Sequence, residues 1–124
     1  MSKVNSGKVL IVDDDRDLLD LMVFVLSAEG FPVETATDGH EALDVVERQM
    51  PDLILLDMKM PVMNGWEFAA EFHRKYDRRA PIIVVTAAEN AEKRADEIGA
   101  TGWISKPFDV SQLVKIVRRH VREA

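Results

Sequence analysis

Aspartates follow two of the apolar stretches in this chain. Asp13 and Asp14 come directly after the run Lys8–Val12, and Asp57 comes directly after the run Leu53–Leu56. Such unbroken runs of Val, Ile and Leu are typical of strands buried on both faces of a parallel sheet. A carboxylate that follows a strand of this kind lies at the edge where open α/β sheets bind ligands. The sequence therefore predicts a group of carboxylates at one edge of a sheet.

A hydroxyl and an amine follow two later strand-like runs. Thr86 ends the run Ile82–Thr86, and Lys106 follows the short run Thr101–Ser105. The carboxyl ends of parallel strands meet at one edge of a sheet, so we expect both side chains to lie near the aspartates. Three carboxylates repel one another unless a cation lies among them. Oxygen ligands without His or Cys suit Mg²⁺, with Mn²⁺ as the alternative ion.

Together these side chains have the chemistry that phosphoryl transfer needs. The carboxylate of Asp57 would be the nucleophile. A metal ion at Asp13 and Asp14, the ammonium group of Lys106 and the hydroxyl group of Thr86 would neutralise the transferring group. Each residue alone has a simpler explanation, since an Asp after a strand often starts a helix and a Thr at a strand end is usually structural. Their occurrence at successive strand ends favours a common site.

The elements that must position these residues alternate along the chain. Apolar residues recur at helical spacing after every predicted strand, which indicates a parallel sheet covered by helices on both faces. The spacing of Asp38 and Glu41 predicts a capping box at the second helix, and Asn64 with Glu67 has the same spacing at the third. The five predicted strands are Lys8–Val12, Val33–Thr37, Leu53–Leu56, Ile82–Thr86 and Thr101–Ser105.

The last two helices have unusual compositions. The fourth, from about Asn90 to Ile98, is mostly polar with a narrow apolar stripe, so we expect it to be the least firmly packed. Its acidic character beside the basic outer face of the fifth helix would support a weak homodimer through helix 4, strand 5 and helix 5, although solvated faces are the commoner explanation. Trp66, just inside the third helix, is expected to be surface packing. The basic residues of the fifth helix are Lys115, Arg118, Arg119 and Arg122.

Composition excludes several classes of protein. The 124 residues are 47% hydrophobic and 31% charged, which suits one globular domain. A net charge of −6 disfavours binding to nucleic acid or to anionic membranes, and the lack of cysteine excludes disulfides and thiolate chemistry. There is no signal-peptide core or membrane-length apolar run, so we expect a cytoplasmic location. We expect one domain, residues 1–124 with a core of about 8–122, and no output domain.

The chain resembles the receiver domain of two-component response regulators, in particular the stand-alone, chemotaxis-like type. The resemblance covers essentially the whole chain, and the acid pair, the central Asp, the Thr and the Lys-Pro pair occur in order at the spacing of that family. The segments that carry it are Val9–Asp14, Leu55–Pro61 with Asn64–Gly65, Val85–Ala87, and Gly102–Phe108.

The resemblance implies a flavodoxin-like fold, in which five parallel strands lie in the order 2-1-3-4-5 among five helices. It implies that Asp57 accepts a phosphoryl group from the phosphohistidine of a sensor histidine kinase or histidine phosphotransfer protein, or from a small phosphodonor. It further implies that Asp13, Asp14, Asp57 and the backbone carbonyl of Lys59 hold Mg²⁺. Such a domain is not an enzyme beyond catalysing its own phosphorylation and dephosphorylation.

The resemblance also implies how the phosphorylated site reports its state. Thr86 and Lys106 would bind phosphoryl oxygens, and Lys106–Pro107 would be a cis peptide bond. Thr86 and the aromatic residue at position 103 would form the switch that biases the face of helix 4, strand 5 and helix 5 toward a downstream protein target. That aromatic residue is Trp103 here, where the family usually has Tyr or Phe.

Two alternatives to a phosphorylated receiver remain at this point. One is a phosphatase similar to the haloacid dehalogenase family, because Asp13-x-Asp15 after an apolar strand matches its nucleophile motif. Asp17 and the short chain disfavour it, and no paired acidic motif follows a later strand. The other is a receiver-fold scaffold that binds partners without phosphorylation, which the intact set of acids, Thr86 and Lys106 disfavours. Labelling with acetyl phosphate distinguishes all three.

Overall fold

In the computed structural model, which describes residues 7–121, five strands alternate with five helices. This alternation confirms the prediction from the apolar runs. The strands are β1 (Val9–Val12), β2 (Val33–Ala36), β3 (Leu53–Leu56), β4 (Ile82–Thr86) and β5 (Gly102–Ser105). The helices are α1 (Arg16–Ala28), α2 (Gly39–Arg48), α3 (Gly65–Tyr76), α4 (Ala91–Ile98) and α5 (Val110–His120).

The strands form one parallel sheet in the order β2-β1-β3-β4-β5. This is the flavodoxin-like order 2-1-3-4-5 that the resemblance to receiver domains implied. Val12 at the end of β1 pairs with Leu56 at the end of β3, so these two strands finish side by side. From β1 the strand order runs to β2 on one side and to β3, β4 and β5 on the other. The carboxyl ends of β1 and β3 therefore flank the point where the strand order reverses, and doubly wound sheets bind ligands there.

The core lies on both faces of the sheet. Successive residues of a strand point to opposite faces, so Leu10 and Ile54 pack on one side while Val9 and Leu53 pack on the other. The first side is covered by α2, α3 and α4, and the second by α1 and α5. Every residue of β1, β3 and β4 is buried, which confirms that their apolar runs are doubly covered.

The structure corrects some element ends and one cap. β1, β2 and β5 are each one residue shorter than predicted. Asp38 accepts a hydrogen bond from the Glu41 backbone N–H at 2.8 Å, but the Glu41 carboxylate accepts from the backbone N–H of Thr37 at 2.6 Å. The predicted capping box at α2 is therefore wrong in its second half, because the Glu41 side chain reaches one residue further back. At α3 the reciprocal bonds between Asn64 and Glu67 are both present.

α4 is the shortest helix among the described residues and has the narrow stripe expected of it. Of its eight residues only Ala91 and Ala95 are buried. α5 buries Leu113 and Val117, whereas Arg122 and the predicted core end at residue 122 lie outside the described residues. None of the helices in the range 7–121 combines the length and apolar character that crossing a membrane requires.

Candidate functional site

The ends of β1 and β3 bring the aspartates together. The backbone N–H of Asp57 donates to the carbonyl of Val12 at 2.9 Å, so the pairing of the two strands continues one residue past their ends. As a result, Asp13, Asp14 and Asp57 each place a carboxylate oxygen within 4.8 Å of the others. The predicted convergence of these carboxylates is what the structure shows.

The three carboxylates differ in exposure. Asp13 is 2% exposed and Asp57 is 7% exposed, whereas Asp14 faces solvent. Burial raises the pKa of Asp13, and the nearby charge of Asp57 raises it further. Hydrogen bonds from Lys106 and from the backbone N–H of Asp15 oppose that rise in pKa without cancelling it. Keeping the Asp13 carboxylate ionised in the fold therefore costs free energy, and an additional cation would reduce that cost.

Lys106 provides a cation to both buried aspartates. It follows β5, and its peptide bond to Pro107 is cis, as the resemblance to receiver domains implied. Its Nζ lies 2.7 Å from Oδ2 of Asp13 and 3.5 Å from Oδ2 of Asp57. Burial lowers the pKa of Lys106, but the hydrogen bond and charge of Asp13, followed by those of Asp57, outweigh it and leave the pKa raised. Lys106 is therefore a fixed ammonium charge beside the Asp57 carboxylate.

Asp57 is held at the start of a tightly folded loop. Its Oδ1 accepts a hydrogen bond from the Met58 backbone N–H at 2.8 Å, which leaves Oδ2 toward Lys106. The loop closes where the Gly65 backbone N–H donates to the Met58 carbonyl at 2.9 Å. Lys59 follows Met58 with an exposed side chain, and the role of its backbone carbonyl as a metal ligand stays a prediction.

Thr86 lies on β4, which is next to β3, and Trp103 lies on β5, the strand beyond β4. Thr86 ends β4, is 1% exposed, and its Oγ1 accepts a hydrogen bond from the Ala88 backbone N–H at 3.1 Å. Since a hydroxyl both donates and accepts, its own proton remains to be donated to a ligand. Trp103 pairs with Val84 and is 43% exposed, so its ring lies outward. The switch role of these two residues stays a prediction.

One polar contact between α3 and α4 has no counterpart in the sequence analysis. Trp66, expected to be surface packing, packs against the core on the α3 side and donates its Nε1–H to Oε1 of Glu97 at 2.9 Å. Trp66 is half-buried, which agrees with packing at the surface, and its bond to Glu97 is an addition to that expectation. The two residues are 31 positions apart, so no helical or strand spacing connects them. The only signal of this contact in the sequence was an aromatic N–H donor, Trp66, near the start of a helix.

Comparison with known proteins identifies the family. Residues 9–118 match the family model described as the response regulator receiver domain. The chain belongs to the response regulator receiver family. This assignment removes the phosphatase alternative and confirms the resemblance. Receiver domains are signalling domains of two-component systems rather than enzymes in the usual sense, and as a class they interact with histidine kinases and downstream targets.

Solved receiver structures cover nearly the whole chain. The chemotaxis protein CheY4 of Vibrio cholerae is 38% identical, with a TM-score of 0.82 over 92% of this chain and 98% of its own. TrrA of Thermotoga maritima, solved in complex with Mg²⁺–BeF, is 31% identical, with a TM-score of 0.82 and the same coverage. NtrX of Brucella abortus is 29% identical, with a TM-score of 0.83 over 91% of this chain but 26% of its own. The receiver fold therefore occurs in both short and long proteins.

Proposed function

We propose that this receiver accepts a phosphoryl group on Asp57. The observation that carries the proposal is the position of the Asp57 carboxylate. Oδ2 of Asp57 lies 3.5 Å from Lys106 Nζ. A carboxylate oxygen of Asp57 also lies within 4.8 Å of carboxylate oxygens from Asp13 and Asp14. A nucleophile, a fixed cation and metal ligands thus occupy one strand edge.

The proposed reaction is an in-line transfer to the carboxylate. An oxygen of Asp57 forms the new bond to phosphorus, and the bond from phosphorus to the donor nitrogen or oxygen breaks. With phosphohistidine, the leaving imidazole keeps that electron pair and takes a proton. Lys106 balances charge on the equatorial oxygens, and the Thr86 hydroxyl donates a charge-assisted hydrogen bond to the attached group.

The donor set fits a hard divalent cation. Asp13, Asp14 and Asp57 offer only oxygen ligands, and burial of Asp13 makes an added positive charge favourable. We infer that these residues, with the Lys59 backbone carbonyl, hold Mg²⁺, or Mn²⁺ in its place. When bound, the ion supplies positive charge against the oxygens of the phosphoryl group. The complex of the Thermotoga relative with Mg²⁺–BeF supports this inference.

The phosphorylated state would act through protein partners. We propose a sensor histidine kinase or histidine phosphotransfer protein as the donor, with small phosphodonors as substitutes, and a downstream protein that reads the face of α4, β5 and α5. The domain would thus catalyse only its own phosphorylation and dephosphorylation. We further propose that the domain acts in the cytoplasm.

The mass of the intact protein tests the phosphorylation site. Acetyl phosphate and Mg²⁺ should add one phosphoryl group to the parent protein, and none to Asp57→Ala or to the parent in excess EDTA. Asp13→Asn and Asp14→Asn should each bind Mg²⁺ about tenfold or more weakly and label more slowly, because each removes an ionised ligand.

The controls separate the receiver from the scaffold alternative. Asp52→Ala is the control matched to Asp57→Ala, because Asp52 precedes β3 and lies at the opposite edge of the sheet. The Asp52→Ala protein should be labelled like the parent. Label that persists in Asp57→Ala would contradict the assignment of the acceptor. Complete absence of label in the parent, with Mg²⁺ bound, would favour a scaffold that works without phosphorylation.

A further inference from the structure

The outer face of α3 carries opposite charges at its two ends. Glu67 lies in the first turn, Arg74 lies in the last turn, and Ala70 lies between them. These residues are three and four positions apart, so they form one stripe along the helix. All three are exposed, whereas Phe68 and Phe72 on the other side of the helix are buried. α3 therefore presents an acid, a small apolar side chain and a base to solvent, in that order.

Both charged residues of the stripe have bonding capacity left. Oε1 of Glu67 accepts the Asn64 backbone N–H at 3.0 Å, and its Oε2 has no hydrogen-bond partner within residues 7–121. Arg74 donates from Nε to Oε1 of Glu71 at 2.7 Å, and its Nη2 contacts the same oxygen. A guanidinium has five N–H donors, so further donors of Arg74 remain. Each residue can therefore bind a second charged group without breaking a contact that it already makes.

The stripe is complementary to a second copy of itself. When two α3 helices lie antiparallel and cross near Ala70, Glu67 of each copy faces Arg74 of the other, because these residues lie three positions before the crossing and four after it. Such a contact is isologous, since the same patch serves both copies and each charged pair forms twice. A small side chain at the crossing lets two helices approach closely.

An apolar edge lies at the N-terminal end of the stripe. Val62 is 82% exposed, the most exposed of the large hydrophobic residues in the range 7–121, and its φ of +69° is strained for a β-branched residue. With Met63 it lines a groove that continues along Glu67, Ala70 and Arg74. Neither the strain nor the exposure stabilises a single copy of the chain. In the antiparallel arrangement this edge lies beside the loop after the other α3, so apolar surface leaves water at both ends of the contact.

We propose that this protein forms a homodimer through α3, in which Glu67 and Arg74 of one copy pair with Arg74 and Glu67 of the second copy around a two-fold axis near Ala70. The dimer does not depend on the proposed function, because none of the paired residues belongs to the group around Asp57. It also differs from a contact through helix 4, strand 5 and helix 5, since α3 and α5 cover opposite faces of the sheet.

Analytical ultracentrifugation of the full chain, without phosphodonor, tests the dimer. The parent should associate reversibly as its concentration rises, and less so at high salt, which screens exposed charges. Glu67→Arg and Arg74→Glu should each raise the dissociation constant of the dimer about tenfold, because each turns two attractive pairs into two repulsive ones. Glu67→Gln and Arg74→Gln, with effects of about threefold, serve if a reversed variant fails to fold. A parent that stays monomeric at every concentration would overturn the proposal.

A mixture of the two reversed variants tests the pairing itself. The Glu67→Arg protein has two positive residues on its stripe and the Arg74→Glu protein has two negative ones, so neither should associate with itself. An equal mixture should associate at least as tightly as the parent, because both pairs across the axis are then attractive. A mixture that associates no better than the separate variants would overturn the antiparallel pairing.

The matched controls are Glu92→Arg and Lys115→Glu, which reverse exposed charges on α4 and α5. Both should associate like the parent. If these two variants lose association while the α3 variants keep it, the dimer forms through the face of α4, β5 and α5, and the proposed contact through α3 is wrong.

Disulfide cross-linking locates the two-fold axis. The chain has no cysteine, so Ala70→Cys forms a disulfide only between two copies. An axis near Ala70 brings the two Cβ atoms toward the separation of about 3.8 Å that a disulfide needs. Under mild oxidation Ala70→Cys should cross-link about tenfold faster than Ala28→Cys, because the dimer raises the effective concentration of the two thiols. Ala28 is the matched site, an exposed alanine at the end of α1 on the other face of the sheet. Equal rates of cross-linking would overturn the axis near Ala70.

Discussion

At the scale of single residues, Asp13 shows how burial prepares a site for a cation. Burial raises the pKa of its carboxyl above the ordinary value of 3.8. Between that value and the raised one, the folded protein binds more protons than the unfolded chain. Stability from this group is therefore complete below pH 3.8 and is lost as the pH rises through the folded pKa.

Replacing Asp13 by Asn should consequently stabilise the metal-free protein at neutral pH. The Asn side chain keeps an oxygen acceptor for Lys106 and removes the buried charge. We expect a higher urea midpoint than the parent at pH 7 in EDTA, and a gain that disappears below pH 3.8. Added Mg²⁺ should reverse the order, since it stabilises the parent more.

Asp14→Asn is the control for this prediction. Asp14 belongs to the same acidic group but is exposed, so its charge is already solvated. In EDTA its replacement should change the urea midpoint much less than replacement of Asp13 does. A midpoint at pH 7 that falls in Asp13→Asn would mean that the bond between Asp13 and Lys106 outweighs the burial of charge.

At the scale of elements, the loop between β3 and α3 fixes the position of Asp57. A Cβ added to Gly65 would lie 2.5 Å from the Asp57 carbonyl oxygen and 2.8 Å from the Met58 Cα, and both of these atoms belong to the backbone. Gly65→Ala should therefore displace the end of β3. We expect a loss of about 1–3 kcal/mol in the free energy of unfolding and slower labelling by acetyl phosphate, measured by denaturant titration and intact mass.

Gly30→Ala separates this effect from ordinary glycine strain. Gly30 follows α1 with φ of +94°, and a Cβ there would meet nothing within 4 Å. Its replacement should cost stability through the backbone conformation alone and leave the labelling rate close to that of the parent. If both variants label equally slowly, the position of Gly65 against Asp57 is not what limits phosphorylation.

The sequence predicted elements well where local rules decide them. Apolar runs located β1, β3 and β4, and strand ends located Asp13, Asp57, Thr86 and Lys106, because parallel strands share one carboxyl edge. It was wrong about the reach of Glu41, since the partner of a flexible carboxylate depends on loop conformation. It also missed the bond from Trp66 to Glu97. No periodicity reports a contact between helices that are distant in sequence.

At the scale of the whole molecule, the site connects four of the five strands described in the range 7–121. Lys106 after β5 reaches the aspartates that follow β1 and β3, and Thr86 ends the strand between β3 and β5. A new charge on Asp57 would therefore act on β4 and β5 together. Trp103, paired with Val84 inside that part of the sheet, lies where such a change would appear.

The size of Trp103 decides how it would respond. Its ring lies outward at 43% exposure, and a turn inward needs space that a shift of Thr86 would vacate. Trp is larger than Tyr or Phe, and packed cores tolerate added volume poorly. We therefore expect phosphorylation to shift the populations of outward and inward rings partly rather than to turn the ring completely.

Fluorescence of Trp103 before and after addition of Mg²⁺ and beryllofluoride measures this response. Every protein compared carries Trp66→Phe, so that Trp103 is the only emitter and the loss of the bond to Glu97 is common to all. The emission should change in that protein and stay constant when Thr86→Ala is added, because the hydroxyl is what couples the phosphoryl group to the strand. An identical change without the hydroxyl would show that Trp103 senses the site by another route. No change at full occupancy would mean that its ring is fixed by packing.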